Sequence, residues 1–290
     1  MAQAPYEHPQ SVPRSKAARR EQRAFVDAKQ DEERTQPTNY MWQDSALDSG
    51  SENPFAETFR SFISTQTEDG EEKYITLYSF ILTELGEKPE KATWRYLEVG
   101  GPSRRVSTTF PEGLFDETYG MVIADDARLR TDEAGYKRTQ RFDRSRKHQV
   151  IEADGTKPES YGALRGKDGT KKFKFIMERL GGGFRKVPIE PYTLYATLNL
   201  WYEMLEDDGF ILAQTPVALN ELVSMWAQYV PHASAGAIEV RFARGEHDGM
   251  LPNSAIFLKK KKGAPRALPS FPPRVVDFLL AQGIKNAHGS

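Results

Sequence analysis

The chain has 290 residues, no cysteine, and 40 Lys and Arg against 41 Asp and Glu, for a formal charge of -1. The lack of thiols excludes disulfide scaffolds, thiolate catalysis, iron–sulfur clusters and cysteine-rich zinc sites, and the balanced charge leaves any case for a polyanionic partner to local patches. No apolar run approaches the roughly 20 residues of a membrane-spanning helix, and the opening MAQAPYEHPQ lacks the basic start and apolar core of a secretory signal. A soluble, cytoplasmic protein without membrane contact is therefore expected, with the Ser/Arg/Ala-rich SVPRSKAARR leaving a mitochondrial address open.

Residues 1–53 read as a polar extension punctuated by Pro5, Pro9, Pro13 and Pro37, with helix-forming composition over residues 15–34 but no apolar stripe. Its Arg14, Lys16, Arg19, Arg20 and Arg23 suit phosphate or an acidic protein partner, although a solvated tail accounts for them more simply. From Pro54 the pattern changes. PFAETFRSFIS and EKYITLYSFILTEL set apolar residues at helical spacing, among them Tyr74, Leu77, Phe80, Ile81 and Leu85, and predict two successive amphipathic helices. GEKPEKAT then breaks the pattern before WRYLEV, which reads as a buried strand bounded by Gly100 and Gly101.

Further strands are predicted at YGMVIA (residues 119–124), HQVIEA (148–153), FKFIME (173–178) and GFILAQT (209–215). PYTLYATLNLWYEMLEDDG predicts a helix with proline at its start, glycine just past its end, and Leu194, Leu198, Trp201 and Leu205 on one face. VALNELVSMWAQYV predicts another, ending before Pro231. AIEVRFAR and SAIFLKK are strands joined by GEHDGMLPN, too short for a crossover helix, so they are expected to pair antiparallel. The expected fold is α/β: a doubly wound, mostly parallel seven-stranded sheet with an antiparallel C-terminal hairpin and helices on both faces. It occupies residues 54–262, and residues 263–290 read as a surface segment with a short helix around residues 275–280. Trp94, Trp201 and Trp226 stand in apolar patterns and are expected in the core.

In YLEVGGPSRRV, Glu98 is followed by Gly100 and Gly101. An acid at a strand end with a glycine turn behind it lets the backbone approach a bulky nucleotide-like ligand where a side chain would collide; an ordinary tight turn has the same look. Asp125 and Asp126 end the second sheet strand, where doubly wound folds place a carboxylate for ribose hydroxyls; a helix N-cap or exposed turn would use the same residues. Asp154 follows the third strand and Glu178 ends the fourth, so four acids at four strand ends are expected to converge on one edge.

This order of elements, with LEDDGFILAQT leading into the fifth strand, resembles the class I S-adenosylmethionine-dependent methyltransferases over roughly residues 55–260, with Pro102 and Arg104 in place of the family's later glycines. The resemblance implies a Rossmann-like domain, S-adenosylmethionine as cofactor, and Glu98, Gly100, Gly101, Asp125, Asp154 and Glu178 as its contacts, with Asp125 on the ribose and Asp154 on the adenine amine. It implies in-line methyl transfer, which gains most from alignment. A base is needed only for acceptors that lose a proton; Glu178 or Tyr192 could serve, and the sequence assigns the role to neither. The signature of amine methylation on bases is absent at Glu178, Arg179, Leu180 and Gly181, and GGGFRK at residues 181–186 fits a loop over the site better than a phosphate loop.

The acceptor is a small molecule or RNA. Arg128, Arg130, Lys137, Arg138, Arg141, Arg144, Arg146 and Lys147 form a basic insertion, and Lys167, Lys171, Lys172 and Lys174 a second cluster, that could meet RNA phosphates. With only Tyr136 and Phe142 interleaved in the basic insertion, a solvated charged face explains the clusters more simply. The five histidines show no metal-ligand spacing, so no metal is expected. The competing reading is a catalytically degenerate relative serving as an RNA-binding or protein-interaction module. A nicotinamide-dependent oxidoreductase is disfavoured by the absence of G-x-G-x-x-G.

Overall fold

The computed structural model describes residues 59–66, 72–99, 110–122, 148–152, 155, 158–162, 164–165, 171–178, 191–216, 219–244, 253–274 and 277. Helix α1 (Arg60–Ile63) leads into β1 (Ser64–Gln66), which pairs antiparallel with β2 (Glu72–Tyr74), and α2 (Leu77–Leu85) follows. The second of the two predicted helices therefore begins later than expected. Tyr74 lies in a strand opposite Ser64, and the Ile75 N–H donates to the Ile63 carbonyl. Thr76 then accepts the Ser79 N–H on its hydroxyl, which caps the first turn of α2. Gly86 closes α2 at φ 68, a left-handed value that suits glycine, and Leu77, Phe80, Ile81 and Leu85 form the buried stripe.

The main sheet holds β3 (Arg95–Val99), β4 (Glu117–Val122), β5 (His148–Glu152), β6 (Phe173–Glu178), β7 (Leu205–Pro216), β8 (Ile238–Ala243) and β9 (Asn253–Lys260) in the order β5-β4-β3-β6-β7-β9-β8. From β5 to β7 all neighbours are parallel, while β9 pairs antiparallel with both β7 and β8. The mostly parallel sheet ending in an antiparallel hairpin is thus present, and each predicted strand has its counterpart.

Along β3, β6, β7 and β9, alternate residues enter two separate apolar clusters. Leu97, Val99, Ile176, Ile211, Ala213, Ile256 and Leu258 join residues of α3 (Pro191–Glu203) and α4 (Asn220–Ala233). Tyr96, Phe175, Met177, Phe210, Leu212, Ala255 and Phe257 join α1 and α2. Because strand side chains alternate, these are opposite faces of the sheet. On the α2 face the rings of Tyr96, Phe175, Phe210 and Phe257 form a row across four strands, with neighbouring centroids 5.0, 4.7 and 5.6 Å apart, and Phe80 of α2 meets its end edge-on at 5.8 Å. Offset and edge contacts of this kind add about 0.5–1.5 kcal/mol each to the area they bury. The buried Trp94, Trp201 and Trp226 lie in the core as expected.

Three boundaries differ from the sequence expectation. Helix α3 stops at Glu203, and Leu205 opens β7 instead of extending the helix face. The Phe173 N–H donates to the Met204 carbonyl, which ties the chain to the sheet at the turn. Helix α4 runs through Pro231 to Ala233. A proline lacks the N–H that would bond the carbonyl one turn back, and its ring crowds that carbonyl; beyond it Ser234 closes the helix by returning both its N–H and its hydroxyl to the Val230 carbonyl. The segment after residue 262 is not wholly superficial: Leu268 and Phe271 are buried against α3 and α4. It is held there by Tyr202 donating to the Pro265 carbonyl, Tyr195 to that of Leu268, and the Trp226 indole to that of Pro269. Its predicted last helix falls mainly outside the described residues.

Candidate functional site

Strand order reverses at β3. The chain moves outward from β3 to β4 and β5, then returns to β6 on the other side of β3. In open parallel sheets a crevice forms outside the carboxyl ends at such a point, because successive connections leave in opposite directions. Two of the sequence-predicted residues are described there. Glu98 is the penultimate residue of β3 and Glu178 the last of β6, each 1% exposed, and Val99 is the register partner of Glu178.

Alternation sends the two carboxylates to opposite faces, Glu98 with Tyr96 and Glu178 with Ile176. They share an edge without converging as a pair. Buried carboxylates need donors. The Tyr96 hydroxyl reaches Glu98 at 3.4 Å, and the backbone N–H of Gln214 donates to Glu178 at 3.1 Å, so Glu178 also ties β6 to β7 beyond their last paired residues, Met177 and Leu212. Gly100, Gly101, Asp125 and Asp154, the GGGFRK loop and the basic insertion over residues 128–147 lie outside the described residues. Tyr192 is partly buried against the α3 cluster.

At the same edge the structure gathers residues that sequence reasoning missed. Thr215 near the end of β7 is the register partner of Ser254 on β9, and Ser254 donates to the Asn220 side chain at the start of α4. Among the described residues, the Thr215 hydroxyl is the buried side-chain atom with no hydrogen-bond partner. The available signal was polar residues in QTP and PNS at the rims of two otherwise apolar strands. Gly155, just beyond β5, packs over the ends of β3 and β4: a Cβ built on it would lie 2.7 Å from Val99 Cγ1 and 3.6 Å from Met121 Sδ. Its carbonyl accepts the Tyr161 hydroxyl at 2.6 Å, and that hydroxyl accepts the Trp201 indole N–H at 2.6 Å.

The opposite, amino-terminal edge holds Lys171, Lys172 and Lys174 of the second basic cluster, already engaged, while Lys167 lies outside the described residues. Lys171 approaches Glu117 at 3.5 Å, Lys172 donates to the Glu203 carbonyl at the end of α3, and Lys174 is buried with its ammonium 5.0 Å from the Trp94 ring centroid. Burial pushes the Lys172 and Lys174 ammonium groups below their ordinary range. Burial alone would raise the Glu117 carboxyl. Hydrogen bonds from Tyr119 and Arg95, with the charges of Arg95 and Lys171, outweigh it and hold the carboxyl below its ordinary value. These groups fasten the base of the sheet, well away from its carboxyl edge. No helix among the described residues is long and apolar enough to cross a membrane.

No protein-family model and no curated protein matches the chain. Several solved structures similar to it bear methyltransferase names. They include an rRNA methylase from Streptococcus thermophilus, with 13% identity over 59% of this chain and 88% of that one at a TM-score of 0.38. A Streptococcus mutans protein assigned as a methyltransferase, in complex with SAH, matches with 12% identity over 58% and 89% at 0.38. A precorrin-6y C5,15-methyltransferase from Geobacter metallireducens matches with 13% identity over 69% and 93% at 0.37.

Proposed function

We propose that the chain is an S-adenosylmethionine-dependent methyltransferase whose cofactor binds outside the carboxyl ends of β3, β4, β5 and β6. The observation that carries this reading is the reversal of strand order at β3 with Glu98 buried beside it, in a doubly wound sheet that ends in an antiparallel hairpin. Two features suit a nucleoside-bearing ligand: acceptor carboxylates of Glu98 and Glu178 stand at the ends of β3 and β6, and the missing Cβ of Gly155 lets the backbone pass close over Val99. When bound, S-adenosylmethionine supplies an activated methyl group on a positively charged sulfur.

In this reading Asp125 accepts from the ribose and Asp154 from the adenine amine, while Glu98, Gly100, Gly101 and Glu178 complete the cradle. The chain's task is then to hold cofactor and acceptor in line and to keep water out, which requires no protein nucleophile. The acceptor is a small molecule or RNA, and the basic insertion over residues 128–147 is the RNA-facing candidate.

Calorimetric titration with S-adenosylmethionine and S-adenosylhomocysteine tests the reading. Binding in the low micromolar range is expected, lost in Asp125→Ala and in Gly100→Trp, which fills the turn. Absence of heat with folded wild-type protein would sink it in favour of an interaction module that keeps the fold without the cofactor.

A further inference from the structure

We infer that Tyr161 is a positioning residue of the cofactor site, pinning the segment after β5 over the carboxyl ends of β3 and β4; the inference rests on the methyltransferase reading above. Strand β5 ends at Glu152, and three residues later Gly155 lies against Val99 and Met121, the last and penultimate residues of β3 and β4. That contact is tight. A Cβ at Gly155 would stand 2.7 Å from Val99 Cγ1 and 3.4 Å from the Tyr161 hydroxyl, so the segment is seated at a separation that only glycine permits.

What holds it there is a directed chain of two hydrogen bonds. An indole nitrogen can only donate and a carbonyl can only accept. Trp201 must therefore give its proton to the Tyr161 oxygen, and Tyr161 must give its own to the Gly155 carbonyl, each at 2.6 Å. Trp201 belongs to α3, which packs on the sheet, and both rings are wholly buried. The chain thus runs from a packed helix, through the 3-10 turn Pro158–Tyr161, to the backbone at the strand ends. The Tyr161 ring is already buried in the apolar cluster that includes α3, so the hydroxyl adds placement of the Gly155 backbone and not bulk. Asp154, the expected adenine contact, is the residue before Gly155 in sequence. Pinning the Gly155 carbonyl limits where its neighbour can reach, and positioning at an angstrom scale decides ligand geometry.

The test uses the full chain as wild type, Tyr161→Phe, and Trp226→Phe. The last removes an equally buried indole donor whose partner, the Pro269 carbonyl, lies in the C-terminal segment. Amide hydrogen exchange is read over residues 152–157 without ligand, and S-adenosylhomocysteine affinity by calorimetry. Tyr161→Phe is expected to speed exchange over residues 152–157 at least tenfold, leave β3, β6 and β7 protected, and weaken S-adenosylhomocysteine about tenfold. Trp226→Phe should lower the thermal midpoint comparably and change neither readout.

Unchanged affinity in Tyr161→Phe, or equal loss in both variants, overturns the positioning role while leaving the methyltransferase reading intact. A folded wild type that gives no heat overturns that reading, and this inference with it. Should Tyr161→Phe not fold, Trp201→Phe, which removes the donor and keeps the hydroxyl, must show the same pairing of faster loop exchange and weaker binding.

Discussion

Glu117 illustrates how a single residue's surroundings decide its contribution. Its carboxylate on β4 takes the Arg95 guanidinium of β3 at 2.9 Å, the Tyr119 hydroxyl at 2.6 Å and, more distantly, Lys171. Its folded-state value lies below the ordinary 4.5. A depressed carboxyl stabilises fully above the unfolded value, and this stabilisation fades as pH falls through the folded value. Acid should therefore weaken the wild type in part through this group, and Glu117→Gln should show a shallower loss between about pH 5 and about pH 3. Urea midpoints of both proteins across that range check it; parallel curves would mean that Glu117 is not one of the groups responsible. Because the side chain is partly solvated, the effect belongs with the modest ion pairs.

At the scale of elements, β7 shows how a sheet reuses a helix-stop signal. LEDD reads as the end of a long helix and Gly209 as the first residue of the next strand, but the strand already begins at Leu205, so Gly209 sits inside it, where the pairing with β6 is irregular between Phe173 and Phe175. Asp208 just before it has φ 57. A Cβ at Gly209 would come within 2.9 Å of the Phe173 carbonyl oxygen, 3.0 Å of that of Glu206 and 3.1 Å of that of Lys174. All three are backbone atoms and cannot swing aside. Gly209→Ala is expected to cost about 1–3 kcal/mol, the usual range for overpacking, measured by chemical denaturation, with the β6–β7 ladder losing exchange protection first. A variant as stable as wild type would mean that the backbone yields there more readily than its packing indicates.

For the whole molecule, the carboxyl edge joins β3 to β7, so a ligand bound there couples to both apolar faces of the sheet. If S-adenosylhomocysteine binds only the folded chain, a hundredfold excess over Kd stabilises it by about 2.7 kcal/mol. A thermal midpoint raised by several degrees, equally by tryptophan fluorescence and far-UV circular dichroism, is the expected outcome. A shift seen by one probe alone would point to binding that does not engage the whole sheet. The sequence by itself determined the strands of the main sheet, since buried runs such as FKFIME and GFILAQT carry their assignment in apolar composition, and it determined the main helices from apolar periodicity, while the short β1–β2 pair reads as helix. It also marked Glu98 and Glu178 as strand-end acids, a pattern visible in chain order. Only the tertiary structure decided that these two carboxylates leave by opposite faces, that the strand ending in GFILAQT already begins at Leu205, and that Tyr161 and Trp201 meet over Gly155. Such relations join residues distant in the chain, and local periodicity holds no information about which distant partner a hydroxyl or a carbonyl will find.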